Sequence, residues 1–324
     1  MNLVRSLTLI GLFGCLTGCM STTAEPTSQP TTVPSTPTLA AIATPTMGEV
    51  PQRLAFVANQ PNAVTIMLAA LDGSPAQVLN PDFPMALDPS WSPDGNELAF
   101  AVQDSDGFNI YISAADGSNL VQVTTEAGDD QHPSWSPDGQ QLVFQSNRSG
   151  NDEIYRVNRD GGNVLQLTND PAQDWMPSWS PDGSLIAFSS SRGFNNEESA
   201  GRELYLIQPD GQNLQQLTKA RGRAQSPAWS PDSQQLAYVF FDSAMVGGDV
   251  ASNTIYTIKR DGSDATLLQD NAFNPQWLDQ RIVFTTYDLN TYHTALRSLD
   301  LNTLQVSVPI SMTELDLMQP VFNR

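Results

Sequence analysis

Cysteine, histidine and positive charge are scarce in this chain, and each scarcity removes a class of function. Its 324 residues include two cysteines, Cys15 and Cys19, and two histidines, His132 and His293. With both cysteines inside the first twenty residues, no disulfide framework holds the remainder, and stability has to come from packing. There is no cysteine cluster, no His-Glu-x-x-His, no Gly-x-Ser-x-Gly elbow and no Gly-rich phosphate loop. Metal, serine-hydrolase and nucleotide chemistry are thus left without a motif, and neither catalysis nor a cofactor is expected. Fifteen Lys and Arg stand against 35 Asp and Glu, a formal net charge of −20. A nucleic-acid binder needs a basic footprint, so that class is excluded. A dispersed acidic surface keeps a protein soluble and by itself names no partner. No stretch shows a sustained helical period. The one long apolar run, residues 6–14, is too short to span a bilayer. Hydrophobic residues still make up 40% of the sequence, enough for a core.

That apolar run follows a short positive start at Arg5 and ends in "LTGC", residues 16–19. The ending resembles a bacterial lipobox, which implies cleavage before Cys19 and lipidation of its thiol. An ordinary signal peptide that happens to contain a cysteine is the alternative. Residues 1–18 then form the signal peptide, and 19–52 a lipidated cysteine with a tether rich in Thr, Pro and Ser. Such a composition cannot bury enough apolar surface to offset its conformational entropy, so an extended, disordered segment is expected. As flexible coil its ends would sit on the order of 30 Å apart, and about 90 Å if fully extended.

Beyond residue 52 the sequence repeats itself. "PSWSPDGNELAF" at 89–100 returns as "PSWSPDGQQLVF" at 133–144, "PSWSPDGSLIAF" at 177–188 and "PAWSPDSQQLAY" at 227–238. Trp91, Trp135, Trp179, Trp229 and Trp277 are spaced by 44, 44, 50 and 48 residues. A repeat of that length built from short β-rich runs marks a propeller. In Ser-Pro-Asp-Gly, proline suits the second and glycine the fourth position of a type I turn. The Asp-Gly pairs at 72–73, 116–117, 160–161, 210–211 and 261–262 suggest type I′ hairpins. The tryptophans read as plugs between blades. Residues 53–80 hold three strands of a unit but no tryptophan strand, and "MQPVF" at 318–322 supplies it, with Phe322 in place of tryptophan. The expectation is an all-β, six-bladed propeller over 53–324 whose C-terminal strand closes the ring on the N-terminal blade.

The phrase "PSWSPDG…LVFQSNRSGNDEIYRVNRDGGNVLQLT" resembles the repeat of TolB-type β-propellers, also found in the propeller domains of prolyl oligopeptidase-like peptidases. The likeness covers about residues 53–324. It implies the fold and, by analogy with TolB, a cell-envelope protein as partner. Nothing between Cys19 and Arg53 matches the small α/β domain of TolB, and no residues remain for a hydrolase domain.

Candidate sites follow from comparing the repeats. The third residue before each blade tryptophan begins an innermost strand and should ring the channel mouth. Those residues are Asp88, His132, Met176, Ser226, Asn274 and, before Phe322, Gln319. Being mostly polar and all different, they suggest a wet channel rather than a metal cage. Asp104, Asp106 and Asn109 lack the closing Glu of a calcium loop and read as a solvated turn. Tryptophan to third-strand tyrosine spans 20 residues in blades two and three but 26 and 27 in blades four and five. Two adjacent loops, 190–203 and 241–254, are therefore long, and loops on a rigid scaffold carry recognition. With the neighbouring connections they supply a candidate partner-binding rim of Trp175, Arg192, Phe194, Arg202, Arg221, Arg223 and Met245. The resulting expectation is a monomeric, extracytoplasmic propeller held to a membrane by its lipid alone and binding an envelope protein. An enzyme or enzyme subunit acting on envelope peptides or glycans at the channel mouth is one alternative. A carbohydrate-binding module, resting on Trp175 and Phe194, is the other.

Overall fold

The computed structural model describes residues 53–60, 63–70, 75–194, 201–220, 222–241, 253–288, 293–307 and 317–322. Cys19, the tether, Arg221, Met245 and the side chains of His293 and Gln319 lie outside the described residues.

Alternating short β-runs and tight turns leave each repeat only one economical arrangement, a small antiparallel sheet. Six sheets of four strands result, and no helix appears among the described residues. Blade two runs Ala86–Trp91, Glu97–Gln103, Phe108–Ala114 and Val121–Gln122. Blade three runs Asp130–Trp135, Gln141–Ser146, Glu153–Asn158 and Leu165–Gln166. Blade four comprises Asp174–Trp179, Ile186–Ser190, Glu203–Ile207 and Gln215–Gln216. Blade five comprises Arg223–Trp229, Gln235–Phe241, Asn253–Lys259 and Thr266–Asp270, and blade six Ala272–Leu278, Arg281–Asp288, His293–Asp300 and Val306–Ser307. In blade one the C-terminal strand Leu317–Phe322 pairs with Arg53–Gln60, followed by Ala63–Ala70 and Gln77–Leu79. The ring is closed by the two ends of the propeller.

Cores lie between blades, not within them. Leu142, Val143 and Phe144 of one second strand are all fully buried because both faces of the sheet are covered. Trp135 packs with Ala99, Ala101 and Ile110 of blade two and Leu142 and Phe144 of its own. Its indole Nε1 donates to the Ser90 carbonyl at 3.1 Å, and Trp229 does the same to Ser178 at 3.0 Å. Trp91 donates to Val321 at 3.2 Å across the closure. Opposed aromatics such as Phe144 and Tyr155 stack with centroids 5.9 Å apart.

The Ser-Pro-Asp-Gly turn has the expected geometry. Gly95 N–H returns to Ser92 O at 2.9 Å, and Ser92 Oγ donates to Asp94 Oδ1 at 2.6 Å. The Asp-Gly hairpins differ from expectation. Only the glycine takes positive φ (83° at Gly117, 85° at Gly161), whereas a type I′ turn requires it at both central residues. Gly117 N–H bonds Ala114 O and Ala114 N–H bonds Ser118 O, so the connection is a type I turn closed by a glycine bulge. The role of Asp116 is instead to accept the Ser118 N–H at 2.9 Å.

Candidate functional site

Antiparallel topology sorts the connections to two ends. First-to-second and third-to-fourth turns crowd one face. The second-to-third loops and the links between blades share the other, where the innermost strands begin.

At that second face each innermost strand is interrupted just before a proline. Asp88, His132, Met176, Ser226 and Asn274 all hold φ between 52° and 54°. The ladder slips at each of these places, for instance between Gln131 and Ser134. Proline has no N–H to give the ladder and restricts the residue before it, and the bulge accommodates both limits. Left-handed backbone at any residue other than glycine costs about 1–3 kcal/mol, and here it recurs in five blades. The five residues line a central cavity of about 550 Å³, together with the prolines that follow them and the tryptophan strands.

Two of the five form an ion pair. His132 Nδ1 lies 3.1 Å from Asp88 Oδ1, and the His132 N–H donates to Asp88 Oδ2 at 3.2 Å. Burial of the ring works against protonation, but the Asp88 carboxylate, with Asp152 behind it, outweighs burial and raises the His132 pKa above 6.5. Met176 N–H donates to Gln145 Oε1 at 3.2 Å, and Ser226 Oγ donates to the Met176 sulfur at 3.5 Å.

The expected rim residues part company. Arg192 sits largely inside blade four, with 12% of its side chain exposed. It pairs with Asp174 at 2.6 Å and Asp170 at 3.3 Å and lies over the Phe188 and Tyr205 rings. Arg148 repeats this clamp in blade three with Asp130, Glu126, Phe144 and Tyr155. Arg192 is thus an internal clamp and not a contact surface, because a charge so deep must be paired. Burial pushes its partner Asp174 up to about 7 against the opposing pull of Arg192.

Trp175, Arg202 and Arg223 do come together. The Arg202 guanidinium lies 3.9 Å from the Trp175 ring centroid and donates to Gln225 Oε1 at 3.3 Å. Trp175 is 6% exposed, and its Nε1 donates to Asp152 Oδ2 at 2.9 Å. Its ring is therefore covered and offers no open face for a sugar. Phe194 packs where a Cβ on Gly201 would collide with it, so Gly201 fixes the approach to Arg202. Burial raises the Asp152 pKa, opposed by the bond from Trp175. Asp152 and Arg202 occupy the same slot in successive blades. Each immediately precedes a third strand, and its carbonyl accepts an N–H from the next blade, Asp174 at 2.8 Å and Ala224 at 2.9 Å. Asp152 and Gln225 are not among the residues expected from sequence. Measured back from the third-strand tyrosines, Asp152 and Arg202 each fall three residues earlier, which is the signal that would have found them.

The candidate calcium loop is a turn. Asp104 accepts Asp106 N–H and Asn109 Nδ2, both at 2.9 Å, and among the described residues no three acidic, His or Cys groups cluster as a metal site.

A family model for the TolB beta propeller domain matches residues 33–200, just over half of the sequence. The chain belongs to the TolB β-propeller family. Among solved structures it is similar to TolB from Acinetobacter baumannii, with 21% identity, a TM-score of 0.67, and coverage of 83% of this protein and 66% of that one. A putative TolB from Agrobacterium tumefaciens matches at 22% identity and a TM-score of 0.56, covering 67% of this protein and 80% of that one. An oligogalacturonate lyase from Vibrio parahaemolyticus matches at 16% and 0.57, over 79% and 73%. At such identities the structures share the fold. No curated protein matches the sequence.

Proposed function

We propose that this TolB-family propeller is a lipid-anchored, extracytoplasmic module that recognises another cell-envelope protein and leaves it chemically unaltered. The observation that carries the reading is the half-buried charged rim of Asp152, Trp175, Arg202 and Arg223, on the face where two lengthened loops attach. An aromatic ring held between an acid and an arginine, with a second arginine bridged to the first, is the composition of a protein contact centre. Among the described residues no helix is long and apolar enough to cross a membrane. The glycan alternative loses its main support with the covered Trp175 ring. The enzyme alternative has one favourable feature, the His132–Asp88 pair at the mouth of the cavity, in a fold that an oligogalacturonate lyase shares.

The test is a loop exchange that respects the clamp. Replacing 193–201 with Ser-Gly-Asn, the length found in blade three, retains Arg192 and Arg202. The variant should keep its thermal unfolding midpoint within a few degrees (about 1 kcal/mol) and lose the envelope protein captured by the full-length protein. Unchanged capture would contradict the proposal.

A further inference from the structure

The rim holds two arginines that have no ion-pair partner among the described residues. Arg202 and Arg223 are brought side by side by the backbone: they form a parallel bridge between blades four and five, with Arg202 N–H on Gly222 O at 2.8 Å. Each follows a glycine packed against an aromatic ring where no Cβ fits, Gly201 on Phe194 and Gly222 on Phe240. Each guanidinium is also braced by a ring, Trp175 at 3.9 Å for Arg202 and Phe241 at 5.3 Å for Arg223. Yet neither makes an ion pair among the described residues, whereas the clamps Arg148 and Arg192 have two carboxylates apiece. Arg223 Nε is buried with no hydrogen-bond partner. Burial, and then the charge of Arg223, press the Arg202 pKa down, so the pair repels itself. Asp152, held to the far partner Trp175, moderates this without pairing with either arginine.

We infer that Arg202 and Arg223 form a carboxylate-binding clamp for the partner protein, filled by an acidic side chain or by a terminal α-carboxylate. The inference rests on the protein-recognition reading above and names its chemistry. Two planar guanidinium forks, fixed by rings and without an ion-pair partner among the described residues, match the bidentate geometry of a carboxylate. One negative charge also suits the local balance, since the Asp152 carboxylate already acts on Arg202. A dianionic phosphate would meet that aspartate and the overall −20 charge of the protein.

Side-chain Nε–H NMR on the full-length protein tests this directly, with Arg148 and Arg192 as internal controls. The probes are N-acetylalanine, which carries an α-carboxylate, N-acetylglutamic diamide with its side-chain carboxyl free, the neutral N-acetylalaninamide, and inorganic phosphate. A carboxylate probe should shift the Arg202 and Arg223 signals saturably, with phosphate weaker and the amide silent. Whichever of the two carboxylates binds more tightly identifies the source. R202Q and R223Q should each weaken binding about tenfold or more. R202K, which keeps the charge and guards against misfolding of the glutamine variant, should weaken it as well by losing the fork. No saturable shift, phosphate binding as tightly, or undiminished binding in R202Q would overturn the clamp. Loss of the clamp alone, with loop-dependent partner capture intact, would leave the recognition reading standing.

Discussion

His132 shows how one residue can carry both architecture and chemistry. Its backbone takes left-handed geometry at the bulge before Pro133, and its ring is drawn onto Asp88 by charge. Because its folded pKa lies above 6.5, the pair contributes stability that is full below the unfolded value and is lost as pH rises through the folded one. The stability of the native protein to urea should therefore fall, relative to H132Q, as pH rises above about 6.5. Parallel pH profiles for the two proteins would contradict the assignment. The same scale exposes the limits of reading residues singly. Arg192 has the sequence position of a rim contact because it sits in a long loop, but Asp170, from the link into blade four, and Asp174, at the start of that blade's first strand, draw it inward. Only the fold reveals that pairing.

At the scale of elements, turns and strands are the most legible part of the sequence, since their rules are local. Tryptophan spacing and the Ser-Pro-Asp-Gly phrase define the blade unit, and Phe322 defines the closure. The Asp-Gly hairpin departs from expectation because two turn types share that dipeptide: in one Asp and Gly are the central pair, and in the other, found here, the turn starts one residue earlier and the glycine forms the bulge. The rim cluster is half legible. Loop lengths point to Arg202 and Arg223, but the contact of Trp175 with Asp152 crosses blades and follows no local pattern. Ser233 offers a test of turn reasoning, as it stands at φ 59° where three sister turns have glycine. Its hydroxyl also accepts the Asp182 N–H at 3.0 Å. S233A keeps the backbone cost and loses the bond, so it should destabilise by about 1–2 kcal/mol. S233G loses the bond but relieves a backbone cost of similar size, and should be closer to neutral. The reverse order in thermal unfolding would show that the turn is not strained at this position.

For the whole molecule, ring closure is the decisive device. The strand Leu317–Phe322 covers the edge of Arg53–Gln60 and caps the Trp91 indole. Deleting residues 317–324 should expose an unpaired strand edge and increase self-association, visible by light scattering. A truncated protein that stays monomeric and unfolds at the native temperature would refute the closure. A closed ring also makes the two faces distinct, one carrying the turns, the other the channel mouth and rim. The proposed recognition at the rim is probed most directly by site-specific photo-crosslinking. A photoreactive residue at Phe194 or Gln225 on the rim, or at Asp116 or Asp160 on the turn face, is introduced into the full-length protein in its membrane. We expect one partner protein to crosslink from the rim positions and to be lost in the Arg202→Gln background, with none captured from the turn face. Crosslinks arising from the turn face alone would show that the partner docks on the opposite side of the ring.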